Sequence, residues 1–399
     1  MRIVMLMRDN TFTHRGGDTV VLERLSEELT ALGHTVKIDL EAKEDLSQFD
    51  LAHLINFATP DKLQALAKRC VENKTKFVVT TLYDDWYAFY NPMIIQELLL
   101  SSYVRSGQPA KDWPSFENTA MKAAPAEKQD NTYTALAAQI LVSAGFQESV
   151  ALRRDYPDCG PIETCYFGCK ISNLSDGGKL FRETFGLKDF VLCVGRLEQR
   201  KNQLSLLKAL EDSDLELVFA GGGFSYGKAY AETCRNFRRT GKTVFLDRIS
   251  SELLTSCYEA AAVHVLPSWY ELPGLASIEA ASLGTPCVVT DYGTIRDYLG
   301  DFALYCIPGD TKSIRLAVER ALKLEKNNSP RPDLSKFTWT NSAKKMIEIY
   351  QRALALPFKE IDLSKFEVNE AERKERELAE FKKMQTGNPN LANLLKAKR

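Results

Sequence analysis

The chain has 399 residues, 44% hydrophobic and 26% charged, with a formal net charge of −1. That length calls for two domains of ordinary size, and the composition is that of a soluble globular protein. The near-zero charge argues against bulk nucleic-acid binding, and no apolar run reaches membrane-spanning length.

The first residues have too short an apolar core for a secretory leader and read as a strand over 2–7. Nine cysteines without a leader point to a reducing, cytoplasmic compartment. The spacing of Cys159, Cys165 and Cys169 matches neither zinc knuckles nor ferredoxin patterns, so these read as free thiols and no metal is expected. A polar loop over 11–18 holds Gly16-Gly17. Val21, Leu25, Leu29 and Leu32 then build one face of a helix, which Gly33 ends. Strands over 35–40, 49–56 and 76–82, with a helix over 61–73, continue an alternation that implies a parallel sheet covered on both faces.

From 83 to 132 the pattern is irregular and rich in aromatic residues, among them Trp86, Phe89, Tyr90 and Trp113. A long aromatic-bearing loop of this kind in an α/β domain is more often functional than ornamental. A strand is expected over 135–143 and a helix over 146–156. A second α/β unit opens with a strand ending at Gly195-Arg196. It continues with a helix carrying Leu206, Leu207 and Leu210, a strand over 215–220, and Gly221-Gly222-Gly223. After it come a helix over 229–240, a strand over 244–246, a helix over 251–261, a strand over 260–266, a strand over 286–290 and a helix over 311–324. Asp212-Ser213-Asp214 reads as a surface turn rather than a metal site. The expected organisation is a first Rossmann-like domain over 1–170, a second over 171–340, a helix over 341–358 returning towards the first, and a charged helical tail over 359–399. That tail is ordinarily a solvated helix. Leu378, Phe381 and Met384 on one face offer peripheral membrane contact or oligomerisation as the sharper reading.

The stretch from Ser268 to Ala280 crosses from a buried strand to a helix, with Glu271 and Glu279 on either side of Pro273-Gly274. A helix start offers free N–H donors, and two carboxylates add acceptors for sugar hydroxyls. Arg196 and Lys201 follow another strand end, where two cations suit a diphosphate. Gly221-Gly222 allows close backbone approach, and Arg248-Ile249 follows a further strand. In open parallel sheets ligands lie outside the carboxyl ends of the strands, so these pieces describe a nucleotide-sugar site. His53 and His264, set among apolar residues, read as structural. His14 on the glycine loop is the better ligand contact.

Taken together, Val194-Gly195-Arg196 to Lys201-Asn202, Phe219-Ala220-Gly221-Gly222, Phe245 to Arg248, Leu266-Pro267-Ser268 and the Glu271/Glu279 pair resemble the retaining GT-B glycosyltransferases of family 4. Gly16 to Val21 and Leu32 to Val36 match more loosely, and about residues 1–355 are covered. The resemblance implies two Rossmann-like domains facing a central cleft. Arg196 and Lys201 would bind the donor diphosphate and stabilise the leaving nucleotide without metal or cofactor. Glu271 would meet the donor sugar with backbone help from Gly274 and Leu275, and Glu279 the ribose. Arg248 and Ile249 would lie near the base, and Gly16 and Gly17 across the cleft. It also implies transfer to a glycan, lipid-linked or other hydroxyl acceptor in cell-surface polysaccharide or glycoconjugate synthesis. Two departures stand out. Tyr83-Asp84-Asp85 occupies the place where the family often has a His, which makes these three and His14 acceptor-side candidates. Leu272-Pro273-Gly274 replaces the usual Gly-Phe-Gly, and Pro273 has no N–H to donate. A catalytically weak binding subunit and a sugar-nucleotide epimerase are the alternatives.

Overall fold

The computed structural model describes residues 1–107, 130–169, 175–221, 228–324 and 332–361. It contains two six-stranded parallel sheets. The first is built from β1 (Arg2–Leu6), β2 (Thr35–Asp39), β3 (Leu51–Ile55), β4 (Phe77–Thr80), β5 (Ile140–Ser143) and β6 (Ile162–Thr164), in the order β2-β1-β3-β4-β5-β6. The second is built from β7 (Val191–Val194), β8 (Leu217–Ala220), β9 (Thr243–Leu246), β10 (Val263–Leu266), β11 (Cys287–Thr290) and β12 (Leu304–Cys306), in the order β12-β11-β10-β7-β8-β9. Strands such as β3, β4, β7 and β10 are buried along their whole length, which is why they read as continuous apolar runs rather than alternating ones.

The strand order decides where a ligand can sit. In the second sheet the direction of winding reverses between β10 and β7, and a crevice opens outside the carboxyl ends of those two strands. β7 leads into Arg196 and Lys201, and β10 leads into Glu271. In the first sheet the reversal lies between β1 and β3, so the Gly16 loop and Asn56 flank the corresponding crevice.

The helix Trp339–Ala355 packs beside the helix Gly17–Ala31. Met346, Ile349 and Tyr350 enter the first domain's core with Ile3, Met5 and Val21. Tyr350 Oη lies 2.7 Å from His53 Nδ1, and Thr80 Oγ1 is 2.7 Å from Nε2. Burial pushes this imidazole down to about 3, so His53 is a neutral core residue. His264 is likewise buried, 3.0 Å from Ser277 Oγ. All nine cysteines are buried free thiols. No helix among the described residues is long and apolar enough to cross a membrane. Residues 362–399 of the expected tail lie outside the described residues. At the tail's start, Lys359 Nζ donates to the carbonyls of Leu136 and Ala138, at 3.1 and 2.6 Å.

Two expectations are corrected. The segment expected as one strand over 135–143 is a short helix, Thr132–Ala137, followed by β5. Its run of alanines has high helix propensity and only its last residues continue the sheet. The stretch read as irregular from residue 83 contains the helix Trp86–Ser106, closed by Gly107 at φ 66°. Residues 108–129 lie outside the described residues.

That helix belongs to the first half of the chain but docks on the second domain. Phe89 and Met93 pack with Trp269 and Tyr270, and the Phe89 and Tyr270 rings stack at 5.5 Å. Farther along, Leu100 joins the core of Leu204, Leu206 and Leu207. Lys208 Nζ lies 3.9 Å over the Tyr103 ring. Its apolar positions therefore face a partner distant in sequence, and the periodicity does not match a single core. Phe89→Ala empties a buried aromatic site and is expected to cost about 3 kcal/mol, read as a lower urea midpoint. An unchanged midpoint would show that the docked helix contributes nothing to stability.

Candidate functional site

The loop after β7 makes a 3-10 turn at Gln199–Lys201 and reverses at Asn202, which holds φ 58°. Asparagine tolerates that left-handed conformation better than most residues. Its Nδ2 donates to the carbonyls of Pro267 and Pro308, at 2.9 and 2.8 Å, tying the β7 loop to the loop after β10. Trp269 N adds a 2.8 Å bond to the Arg200 carbonyl. These ties bring together two segments seventy residues apart in sequence, with Lys201 Nζ 2.7 Å from Glu271 Oε1.

Glu271 is also clamped through its backbone. Its N–H donates to the Tyr292 carbonyl at 3.2 Å, and its carbonyl accepts from Thr294 N at 2.9 Å. Gly293, at φ 96°, lies so close that an added Cβ would stand 2.1 Å from the Glu271 carbonyl oxygen. The Glu271 side chain is only 4% exposed. Burial opposes its ionisation, but Lys201 and Arg200 outweigh that and hold the carboxyl below its ordinary range. The site thus sets a buried carboxylate 2.7 Å from the Lys201 Nζ. Arg196, a third exposed, pairs with Glu198 at 3.0 Å.

Gly274 takes φ 82° and opens the helix Leu275–Ser282, so the backbone at Gly274 and Leu275 adjoins Glu271. Glu279 lies one turn farther on. It lines a separate cavity of about 260 Å³ with Val194, Gly221, Arg248, Ile249 and Tyr258. Tyr258 Oη donates to Glu279 Oε2 at 3.4 Å. Gly222 lies outside the described residues.

On the first domain, Gly16 precedes the helix Gly17–Ala31, with Gly16 N donating to Thr19 Oγ1 at 3.1 Å. Arg8 shapes this loop by donating from Nε to Asp18 at 3.0 Å and from Nη2 to the His14 carbonyl at 2.7 Å. Asn56 Nδ2 reaches the same Asp18 carboxylate at 3.0 Å. His14 is exposed, with Nδ1 3.1 Å from Thr13 Oγ1.

The three residues at the end of β4 divide sharply. Tyr83 is buried against Phe57 and Tyr156 and donates to Asp155 at 2.7 Å, so it belongs to the first domain's core. Asp85 takes two bonds from Arg154, at 3.2 and 3.0 Å. Asp84 alone of the three faces the second domain, with Oδ1 3.7 Å from Arg200 Nη1. Burial raises its carboxyl pKa, opposed by Arg200. The sequence pattern assigns no role to Arg200, Asp18, Gly293 or Glu148. Arg200 was legible as a third cation in the run from Arg196 to Lys201. Gly293 carries no signal, because its contact with Glu271 is purely tertiary.

The two facing sheets, with charged loops at their switch points, define a GT-B architecture. Residues 181–348 match the family described as glycosyl transferases group 1. The chain is 26% identical over 392 residues to an uncharacterized glycosyltransferase of Methanocaldococcus jannaschii, covering 89% of this chain and 99% of that protein. Among solved structures it resembles sucrose-phosphate synthase from Thermosynechococcus elongatus, with a TM-score of 0.64, 18% identity and coverage of 89% and 99%. It also resembles Anabaena HepE, solved in complex with UDP and glucose, with a TM-score of 0.56, 16% identity and coverage of 89% and 96%.

The closeness of Gly293 to Glu271 sets a test of the clamp. Gly293→Ala adds both strain and a steric clash, and is expected to cost about 2 kcal/mol. A melting temperature equal to that of the wild type would mean the loop is free to move away from Glu271.

Proposed function

We propose that the protein is a retaining glycosyltransferase. It moves a hexosyl group from a nucleotide-sugar donor to a hydroxyl of a glycan or lipid-linked acceptor, in the synthesis of a cell-surface polysaccharide or glycoconjugate. The observation that carries this reading is the Lys201–Glu271 pair, 2.7 Å apart at the sheet's switch point. Beside it lies the cavity that holds Glu279, Arg248 and Ile249. A donor has two parts that need opposite treatment. Its diphosphate requires cations, and its sugar and ribose hydroxyls require acceptors. In this reading Arg196 and Lys201 serve the first part. Glu271 serves the sugar, helped by the backbone at Gly274 and Leu275, and Glu279 serves the ribose. Gly16 and Gly17 bring the first domain's backbone to the donor or acceptor.

As the bond from sugar to phosphate breaks, negative charge grows on the departing diphosphate. Cations held in place beforehand stabilise that charge without reorganising. Lys201 is fixed by Glu271 and by the ties of Asn202, so its position does not depend on the ligand. This electrostatic role needs no metal ion.

Screening UDP, GDP and ADP by thermal shift tests the reading. A nucleoside diphosphate at about one hundred times its Kd is expected to add about 2.7 kcal/mol of stability. Glu279→Ala and Arg196→Ala should each weaken that binding about tenfold, in line with hydrogen bonds to charged groups. With the matching nucleotide sugar, turnover should survive a chelator and the product should keep the donor's anomeric configuration. Absence of a shift with all three nucleotides would overturn the proposal.

A further inference from the structure

Glu148 is a carboxylate the donor site does not use. It is the third residue of the helix Phe146–Asp155 and is fully buried. An isolated buried carboxylate is costly, so its partners explain its presence. Oε2 accepts from Ala144 N at 2.6 Å, at the start of its own helix. Oε1 accepts from Tyr83 N at 2.7 Å and from the Thr81 hydroxyl. One side chain thus joins the end of β5 to the turn that follows β4. The same helix holds that turn at two further points, through Asp155 on the Tyr83 hydroxyl and Arg154 on Asp85. Between those fixed residues Asp84 projects towards Arg200 of the second domain.

We propose that Glu148 is a positioning residue: it fixes the Thr81–Asp85 turn so that Asp84 faces Arg200, Lys201 and Glu271 across the donor site. The proposal rests on the glycosyltransferase reading for its catalytic consequence but not for its structural one. All three contacts to Glu148 are donors. An ionised carboxylate satisfies all of them with charge-assisted bonds, which are about twice as strong as neutral ones. A protonated carboxyl must use one oxygen as a donor. The Thr81 hydroxyl can then turn to the Val142 carbonyl, 3.2 Å away, but the two backbone N–H groups keep only weaker neutral bonds.

Burial pushes the Glu148 carboxyl up to about 7, against the pull of Thr81, Tyr83 N and Ala144 N, with the nearby Asp84 charge adding to the rise. The other ionisable groups around it are Asp85 on the turn, Arg154 and Asp155 on its own helix, and Asp297, Tyr270 and Tyr298 from the second domain, Asp297 accepting from Phe146 N at 2.6 Å. The three bonds do not make up for the water the charge loses on burial, so the closed turn favours the protonated carboxyl: it is held tightly below about pH 7 and loosens as pH rises through it.

Hydrogen exchange of the amides of Thr81–Asp85, corrected for intrinsic rate, tests this between pH 6 and 8. Wild-type protection should fall severalfold as pH rises through about 7. Glu148→Gln, whose amide sets a donor against a backbone N–H, should be weakly protected and flat with pH. Glu148→Asp should recover part of the pH dependence. Wild-type protection independent of pH, or a Glu148→Gln profile parallel to it, overturns the proposal whatever the enzyme's donor is. Binding of the nucleoside diphosphate should be unchanged in Glu148→Gln, because its contacts lie on the second domain. Turnover of the matching nucleotide sugar should fall in the wild type as pH rises through about 7, with the effect in kcat, and lose that limb in Glu148→Gln and Asp84→Asn. If nucleotide binding fails in the wild type, the function assigned above is wrong while the exchange result still decides the role of Glu148. If turnover follows the same pH profile in all three proteins, Asp84 is not positioned for the reaction and the proposal falls.

Discussion

The structure depends on the pairing of Lys201 with Glu271. Removing two charges from water costs several kcal/mol for each ion, and only close geometry with supporting bonds offsets that cost. Here the support is explicit. Asn202 ties the lysine's loop to the glutamate's loop, Gly293 clamps the glutamate's backbone, and Arg200 adds a second cation beside the pair. A buried pair of this kind adds little to stability compared with apolar residues of the same shape. What it does supply is an ammonium and a carboxylate held at one location, and a reaction that develops charge needs groups that do not move when the charge appears.

Arg200 extends this arrangement across the cleft. It lies between Glu198 of its own loop and Asp84 of the first domain, and it donates to the Tyr270 carbonyl at 3.2 Å. The two domains therefore meet through charge at the centre of the site. A second meeting point is more ordinary. Asp297 accepts from Phe146 N at 2.6 Å, and the Tyr298 hydroxyl donates to the Ala144 carbonyl at 3.1 Å. Glu148 stands between them, bonded to the first domain's two loops, so the geometry of the cleft and the geometry of the turn carrying Asp84 share one support.

Much of this was legible in the sequence. Buried parallel strands read as apolar runs, so five strands of each sheet are legible in the sequence, while the short edge strands β6 and β12 are not. Legibility failed where a residue's partner is far away in the chain. The helix Trp86–Ser106 follows no single apolar face because it packs on a domain encoded more than a hundred residues later. Tyr83, Asp84 and Asp85 are three consecutive polar residues, and only tertiary contacts separate a core tyrosine, a cleft carboxylate and a surface ion pair. Glu148 looked like any acidic residue in a first helical turn.

The crossing of the helix Trp86–Ser106 limits how the two lobes can move. If they separated as free rigid bodies, Phe89, Met93, Trp269 and Tyr270 would lose their shared contact, at about 1.5–3 kcal/mol for each side chain fully exposed. The stacked Phe89 and Tyr270 rings and the Asp84–Arg200 approach thus tie the two lobes together beside the charged groups, so the lobes are not independent halves joined only by a linker.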